Sequence, residues 1–423
     1  MNRFFSPLRI RFICILASGT VLYFLANIQR AAIPGAVFDR LQHLYGCQAL
    51  GTAGLGAAFM YAYAAMQPMT GLLLDRFGSG RVLLGGGFLF VAGELCFARA
   101  GSLTGAYCAQ IMAGLGAGSL YLSLVRENIR IFRSYYNMTL AVIILIGYSG
   151  GFTANAPLLL LVRRFGLTGT LTAIAAAAGI FWLLGSMLIL SGILKKEQKQ
   201  HSFSPREFLP VFHSSHNWKL YCFSAGNFAL FYVLQTVIGK KFLQDFCHMP
   251  EINAGWLFSA TGATAALSGL FLASASRFFG DRRRIFCRIA GVSGFSVFFL
   301  MFLLICCNIR SGTLYSVLLL WLSATASLST VVIPLLRETN PECLVSRSIC
   351  MLNFSFYLAV ACFGNLAGLL FKLFLPEECG GISVYGQNAW MTIFGIFLLI
   401  AGGVLYFSFQ MKETFGRRIL SEK

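Results

Sequence analysis

Twelve long apolar runs, separated by short segments that hold most of the charge, constrain this chain more than any other feature. A helix needs about 20 apolar residues to cross roughly 30 Å of hydrocarbon. The runs predict spans at residues 12–37, 50–74, 82–98, 103–125, 139–162, 169–191, 218–238, 252–276, 285–307, 312–336, 349–371 and 388–410. Lipid offers no partner to an exposed backbone N–H, so each span is predicted as a helix, and runs apolar on every face exclude the alternation of a membrane β-barrel. With 57% hydrophobic and only 11% charged residues, the chain falls outside the range of soluble globular proteins. The expected fold class is an all-α polytopic membrane protein with twelve transmembrane helices, in lipid contact over much of its surface.

The first run follows Arg3, Arg9 and Arg11, as a secretory signal would. Its apolar stretch, Phe12 to Ile28, is too long for a signal core and ends at no small-residue cleavage site, so it is expected to be retained. The net charge of +18 is explained by its distribution and does not call for nucleic acid. If both termini lie on one side, that side collects the N-terminal arginines, Arg76 and Arg81, Arg126 to Arg133, Lys195 to Lys219, Arg277 to Arg288, Arg337, Arg347 and the basic C-terminal tail. The opposite side keeps only Arg40, Arg99, Arg163, Arg164, Lys240, Lys241, Arg310 and Lys372. By the positive-inside rule both termini are cytoplasmic, most simply in a bacterial inner membrane.

The one long polar interruption, Lys195 to Lys219, divides the spans six and six. This predicts an N-terminal bundle over 1–191, a cytoplasmic linker over 192–217 and a C-terminal bundle over 218–423. The halves repeat weakly. GLLLDRFGSGR (Gly71 to Arg81) follows the second span and SRFFGDRRR (Ser276 to Arg284) the eighth, and aligning Gly78 with Gly280 also carries the first span onto the seventh.

Gly78, Gly80, Arg76 and Arg81 suit a tight, positively anchored cytoplasmic hairpin. Asp75 does not, because the C-terminal end of a helix favours cations. It is expected to be held by Arg76, Arg81 or the N-terminus of another helix, in a pair that forms in one conformation and breaks in another. Gly71, Asp75, Arg76, Gly78 and Arg81 together resemble the GxxxDRxGxxR signature of the major facilitator superfamily, at the matching position between the second and third spans. GLGAG (Gly114 to Gly118), GYSGGFTANAP (Gly147 to Pro157) and RETNPECLVSRSICMLNFSF (Arg337 to Phe356) agree with that resemblance. It implies two pseudo-symmetric six-helix bundles, a secondary transporter working by alternating access, and a conformational latch at those five residues. Two departures stand out. Asp75 aligns with Arg277 and Arg76 with Phe278, so a second-half latch is expected to lack its carboxylate. Gln110 occupies the position where exporters of the family often carry a proton-linked arginine, which argues against drug efflux by that device.

Candidate substrate residues are polar groups at helical spacing inside spans. Tyr23, Asn27 and Arg30 share one face of the first span. An intramembrane arginine is costly unless it faces a cavity or partner, although Arg30 could also snorkel to the outer surface. A cavity-facing guanidinium would bind carboxylate or phosphate bidentately. Asn227 and Gln235 repeat a milder stripe in the seventh span, joined by Gln110 in the fourth, Tyr148 and Asn155 in the fifth, and Asn353 and Tyr357 in the eleventh. Each alone reads more readily as an interhelical hydrogen bond; together they suggest a central polar cavity. Glu94 is the lone carboxylate well inside a span, a candidate proton carrier, or else a structural partner of Arg99 or a residue at an interfacial position.

Gly147-Tyr148-Ser149-Gly150-Gly151 matches GxSxG, but a serine nucleophile needs an adjacent base, and all five histidines lie outside the predicted spans. An enzyme is therefore not expected, nor haem or zinc between helices. The 13 cysteines are scattered without CxxC spacing and read as packing residues, so no cofactor or metal is expected. The sequence thus predicts a secondary active transporter, a symporter, moving a small polar, anionic or zwitterionic organic solute, with a proton or other ion as coupling partner, in a monomer. The alternatives are efflux of amphipathic compounds and a transporter-like scaffold or sensor.

Overall fold

The computed structural model describes residues 7–132, 136–191, 210–211, 214–379 and 382–418. Most of the expected linker 192–217, together with His201 and His213, lies outside the described residues, as does the end of the basic tail. The chain divides into two compact units, Met1–Ala32 with Ala58–Ser204 and Ile33–Ala57 with Pro205–Lys423.

The first unit is built on α1 (Pro7–Ala32), α4 (Ser79–Ala98), α5 (Leu103–Ile131), α6 (Tyr136–Thr153), α7 (Ala156–Ser191) and the part of α3 (Ala49–Phe77) beyond Ala57. Gly78, at φ +79°, turns the chain straight from α3 into α4, a conformation that glycine adopts at no steric cost. The Ser102 hydroxyl accepts from the Gly105 N–H at 3.1 Å and caps α5. The glycines of GLGAG serve two neighbours at once. A Cβ on Gly116 would lie 2.2 Å from Phe90 N on α4, whereas one on Gly114 would lie 2.4 Å from Phe59 O on α3. Residues two apart on a helix face opposite ways, so this alternation lets α5 pack closely on both sides.

The second unit contains α2 (Phe38–Tyr45), α8 (Ser215–Val233), a π turn (Leu234–Ile238), α9 (Gly239–Asp245), α10 (Glu251–Phe278), α11 (Arg283–Cys306), α12 (Gly312–Ala324), α13 (Ser329–Thr339), α14 (Glu342–Phe371) and α15 (Gln387–Phe409). A two-stranded antiparallel hairpin, β1 (Glu377–Cys379) and β2 (Ile382–Val384), precedes α15. Trp390, Phe394, Phe242 and Tyr315 form an aromatic core, with ring centroids 4.7 to 5.2 Å from Phe242.

Among the described residues, eleven helices are long and apolar enough to cross a membrane, and a twelfth apolar helix, Met138–Thr153, is shorter. The chain is an all-α polytopic integral membrane protein. Large apolar side chains such as Phe271 and Leu399 stay 72% and 76% exposed, as contact with lipid requires.

Several spans differ from the sequence reading. The first ends at Ala32, not residue 37, and the chain continues through a 3₁₀ turn (Gly35–Val37) into α2. The fifth breaks after Thr153. Pro157 has no N–H to continue the ladder, and the Asn155 side chain instead donates to Gly151 O at 3.0 Å. Within α7, Gly166 at φ +75° ends one helical stretch and begins the next. The tenth breaks between α12 and α13, where Asn227 Nδ2 donates to Thr325 O at 3.3 Å and supplies one of the bonds the helix end gives up. The seventh runs on unbroken to Asp245, so Lys240 and Lys241 are helical and not in a loop. His43 and His216 also lie in helices, α2 and α8, rather than between elements.

Candidate functional site

In the first unit a polar ladder climbs α1. Asn27 Nδ2 donates to Tyr23 O at 2.8 Å, and the Arg30 guanidinium donates to Asn27 Oδ1. The arginine carbon stands 5.6 Å from the centre of the Tyr63 ring on α3, a cation–π arrangement. Arg30 is only 7% exposed, so the guanidinium does not snorkel to the surface. Glycines on α6 make room for this face: a Cβ on Gly147 would fall 2.1 Å from the Tyr23 ring, and one on Gly150 would lie 2.9 Å from Asn27 Cβ. The GxSxG match is thus helix packing, with the Ser149 hydroxyl donating to Ile146 O at 2.7 Å.

Gln110, on α5, is fully buried, and neither end of its amide has a hydrogen-bond partner among the described residues. A buried amide left unpaired costs about 1–3 kcal/mol, so this one is poised for a ligand or water. Glu94 is 1% exposed, with Oε1 unpartnered among the described residues, while Arg99 is exposed and forms no ion pair with it there. The expected pairing with Arg99 is therefore corrected. Glu94 is also not the lone buried carboxylate in a helix, since Glu127 on α5 and Asp245 on α9 are 3% and 7% exposed. Tyr148 is 46% exposed on α6, and Asn155 closes the end of α6.

The signature loop is wired differently from the sequence expectation. Asp75 Oδ1 accepts from Arg126 on α5 at 2.8 Å, so its ion pair joins α3 to α5 inside the first unit. Arg76 stacks on Phe77 at 5.3 Å and Arg81 is exposed. One turn on, the Ser79 hydroxyl donates to Glu127 Oε1 at 2.7 Å, and Thr139 donates to Asn128 at 2.6 Å. Gly71 has open space around it. Arg126 counted in the sequence only as a cytoplasmic cation, and Glu127 and Asn128 went unremarked; the run was findable as the acidic and basic end of the fourth span.

The second half does keep a carboxylate, contrary to the alignment. Arg283, at the start of α11, pairs with Glu338 at the end of α13 at 3.1 Å and with Asp281 at 3.1 Å, and Thr414 donates to the second Glu338 oxygen. The charges have exchanged helices: the carboxylate comes from the later span and the guanidinium from the hairpin. A position-by-position alignment of one loop misses such a swap.

The second-unit polar candidates are mostly satisfied by protein. Gln235 donates to Phe258 O at 2.9 Å and accepts from Thr261 at 2.5 Å, which ties the π turn to α10. Asn227 serves Thr325 O. Tyr357 packs edge-on against Phe228 at 6.1 Å, and Asn353 is half-buried on α14.

The largest surprise is a buried ionic cluster around α9. Lys240 and Lys241 are 5% and 1% exposed. Lys241 pairs with Asp39 at 2.8 Å and Asp245 at 3.3 Å, and Lys240 with Glu251 at 3.2 Å. No spacing rule could join Asp39 on α2 to Lys241. Among the described residues no group of His, Cys, Asp and Glu could hold a metal ion.

No protein-family model and no curated protein matches this sequence. Solved structures do. A nucleoside transporter, NupG, in a point-mutant form is 15% identical with a TM-score of 0.68, over 93% of this chain and 99% of that one. A second NupG structure is 12% identical with a TM-score of 0.67, over 96% and 100%. A POT family transporter in complex with 5-aminolevulinic acid is 11% identical with a TM-score of 0.71, over 94% and 96%. At these identities the likeness establishes the fold.

Proposed function

We propose that this chain, which has the major facilitator fold, is a secondary transporter of a small organic solute working by alternating access. The solute is anionic or zwitterionic. The observation that carries this class is the buried Arg30, braced by Asn27 and Tyr63 on two different helices. A buried cation is retained at a cost, and a carboxylate on the solute would offset that cost bidentately. The POT structure holds 5-aminolevulinic acid, a zwitterion with such a carboxylate.

In the first unit the binding set is Tyr23, Asn27, Arg30 and Gln110, with Arg30 and Gln110 as its chief members; Tyr148 and Asn155 there, and Asn227, Gln235, Asn353 and Tyr357 in the second unit, stay candidates on their sequence pattern alone. Gly71, Asp75, Arg76, Gly78 and Arg81, with Arg126, form the latch, and Glu94 is the candidate proton carrier for symport. The bundles 1–191 and 218–423 rock about the linker 192–217, in a monomer with both termini in the cytoplasm of a bacterial inner membrane. A second reading is favoured by Gln110 alone. An amide that offers both donor and acceptor suits an uncharged ligand with the complementary pair, such as a nucleobase edge, and NupG is a nucleoside transporter.

Thermal stabilisation of the purified protein distinguishes the two. The panel is amino acids, short peptides, carboxylates, sugar phosphates, nucleosides and neutral sugars, run on wild type and Arg30→Ala. A ligand at 100 times its Kd adds about 2.7 kcal/mol of stability. Stabilisation by an acidic or zwitterionic compound that disappears in Arg30→Ala supports the first reading. Stabilisation by nucleosides alone, unchanged in that variant but lost in Gln110→Leu, supports the second.

A further inference from the structure

Two consecutive lysines in the second unit are each held by partners from two different sources. Lys240 Nζ donates to Ala36 O in the 3₁₀ turn, and it lies 3.2 Å from Glu251 Oε1 at the start of α10. Lys241 Nζ donates to Asp39 Oδ1 on α2 at 2.8 Å and to Asp245 Oδ1, one turn along its own helix, at 3.3 Å. The remaining neighbours of Lys241 divide the same way. The Phe38 ring on α2 lies 5.8 Å away, and on the other side stand Ser383 O at 2.6 Å and the Tyr385 ring at 5.8 Å. Asp245 is itself fixed, since its Oδ2 accepts the Tyr385 N–H at 3.0 Å. Arg40 completes the set by donating to Glu251 Oε2 at 3.3 Å.

Residues 33–45 therefore supply one hydrogen-bond partner to each lysine, while α9, α10 and the hairpin segment supply the rest. That segment is joined to α1 at Ala32, and α3 passes back into the first unit at Ala58. A lysine buried without a counter-charge is strongly unfavourable, so a contact meant to open needs a partner that stays behind.

We propose that Lys240 and Lys241 form a partner-exchange lock: residues 33–45 dock on the end of α9 and leave it during the transport cycle, while Glu251 and Asp245 keep the lysines paired. This rests on the transporter reading. The two carboxylates around Lys241 then have opposite effects. Asp39 stabilises only the docked arrangement. Asp245 is needed most when the segment is away, because among the described residues it is then the one carboxylate left on Lys241. A static ionic strut predicts instead that losing either carboxylate loosens the whole cluster.

The experiment is amide hydrogen exchange by mass spectrometry on the full chain in lipid nanodiscs, without solute. Asp39→Asn should speed exchange within residues 33–45 by about fivefold or more, leaving α9 and residues 382–385 unchanged. Asp39→Glu should restore the wild-type rate, and Asp245→Asn should slow exchange of the same segment by about threefold. Faster exchange in both asparagine variants, or no change in either, overturns the lock. Should Asp245→Asn fail to fold, Asp39→Asn decides alone: acceleration confined to 33–45 at an unchanged unfolding midpoint supports the lock, and acceleration spread through α9 with a fallen midpoint overturns it. Exchange is read without transport, so a chain that shows the antagonism but moves no solute keeps the lock and loses the transporter reading.

Discussion

Replacing Gly116 by alanine tests whether the α4–α5 contact sets the geometry of the first unit. The added Cβ would lie 2.2 Å from Phe90 N and 2.5 Å from Gly86 O, whereas ordinary contact begins at 3.4 Å. Both opposing atoms are backbone and cannot rotate aside, so the two helices must part by roughly 1 Å, which forfeits much of the dispersion energy along the seam. Overpacking of this kind costs about 1–3 kcal/mol. Alanine returns about 0.5–1 kcal/mol of helix propensity, leaving a net loss of about 1–2 kcal/mol. Gly85→Ala, one residue before Gly86 on α4 but turned away from the seam with nothing within 4 Å, meets only the favourable effect. The difference between the variants is thus about 2 kcal/mol, or roughly 2–3 °C in unfolding midpoint for a chain this size. The assay is thermal unfolding of both purified variants in the same detergent, with solute binding measured alongside, because Gln110 is carried on α5. A Gly116→Ala midpoint equal to or above that of Gly85→Ala would refute the claim that this close approach is required.

Asp75→Asn should leave solute affinity within a few-fold but lower turnover, since the pair with Arg126 lies at the end of α3, away from Arg30; equilibrium binding and counterflow measured together check this, and a large loss of affinity with normal exchange between states counts against it. Glu338→Gln leaves the Arg283 side chain, 10% exposed, with Asp281 as its only acidic partner among the described residues, and should cost about 2–3 kcal/mol in thermal unfolding. Asn227→Leu removes the donor to Thr325 O and should lower stability by about 1 kcal/mol, with local amide exchange rising between α12 and α13. Arg30→Ala should abolish stabilisation by acidic or zwitterionic compounds, with the folded state checked by the unfolding midpoint of the unliganded variant, because the guanidinium held by Asn27 and Tyr63 is the group that would pair with the solute carboxylate.

The fold was legible because lipid leaves the chain one way to satisfy its backbone. Apolar runs of sufficient length must become helices, and glycine at Gly78 or proline at Pro157 marks where they turn or stop. The α1 ladder was legible for the same reason, since Tyr23, Asn27 and Arg30 share a face by helical period alone. GLGAG announced close packing, though not that Gly114 and Gly116 serve different neighbours.

Partners across helices were not legible. Asp75 finds Arg126, not its neighbours Arg76 or Arg81, because the end of α3 meets the end of α5 in space. The second half restores the same contact with charges exchanged, Arg283 to Glu338, which one loop aligned on another cannot reveal. Lys240 and Lys241 looked like outer-loop cations because charge ordinarily ends a span. Asp245 lies one helical turn from Lys241, but only tertiary structure brings Asp39 and Glu251 near enough to keep both lysines paired and buried. The sequence alone determined that the chain forms apolar helices of membrane-spanning length and which of their faces are polar, since both follow from local period and solvent. Which charges meet was decided by packing, since the Coulomb energy that makes a buried ion tolerable depends on distances between residues far apart in the chain.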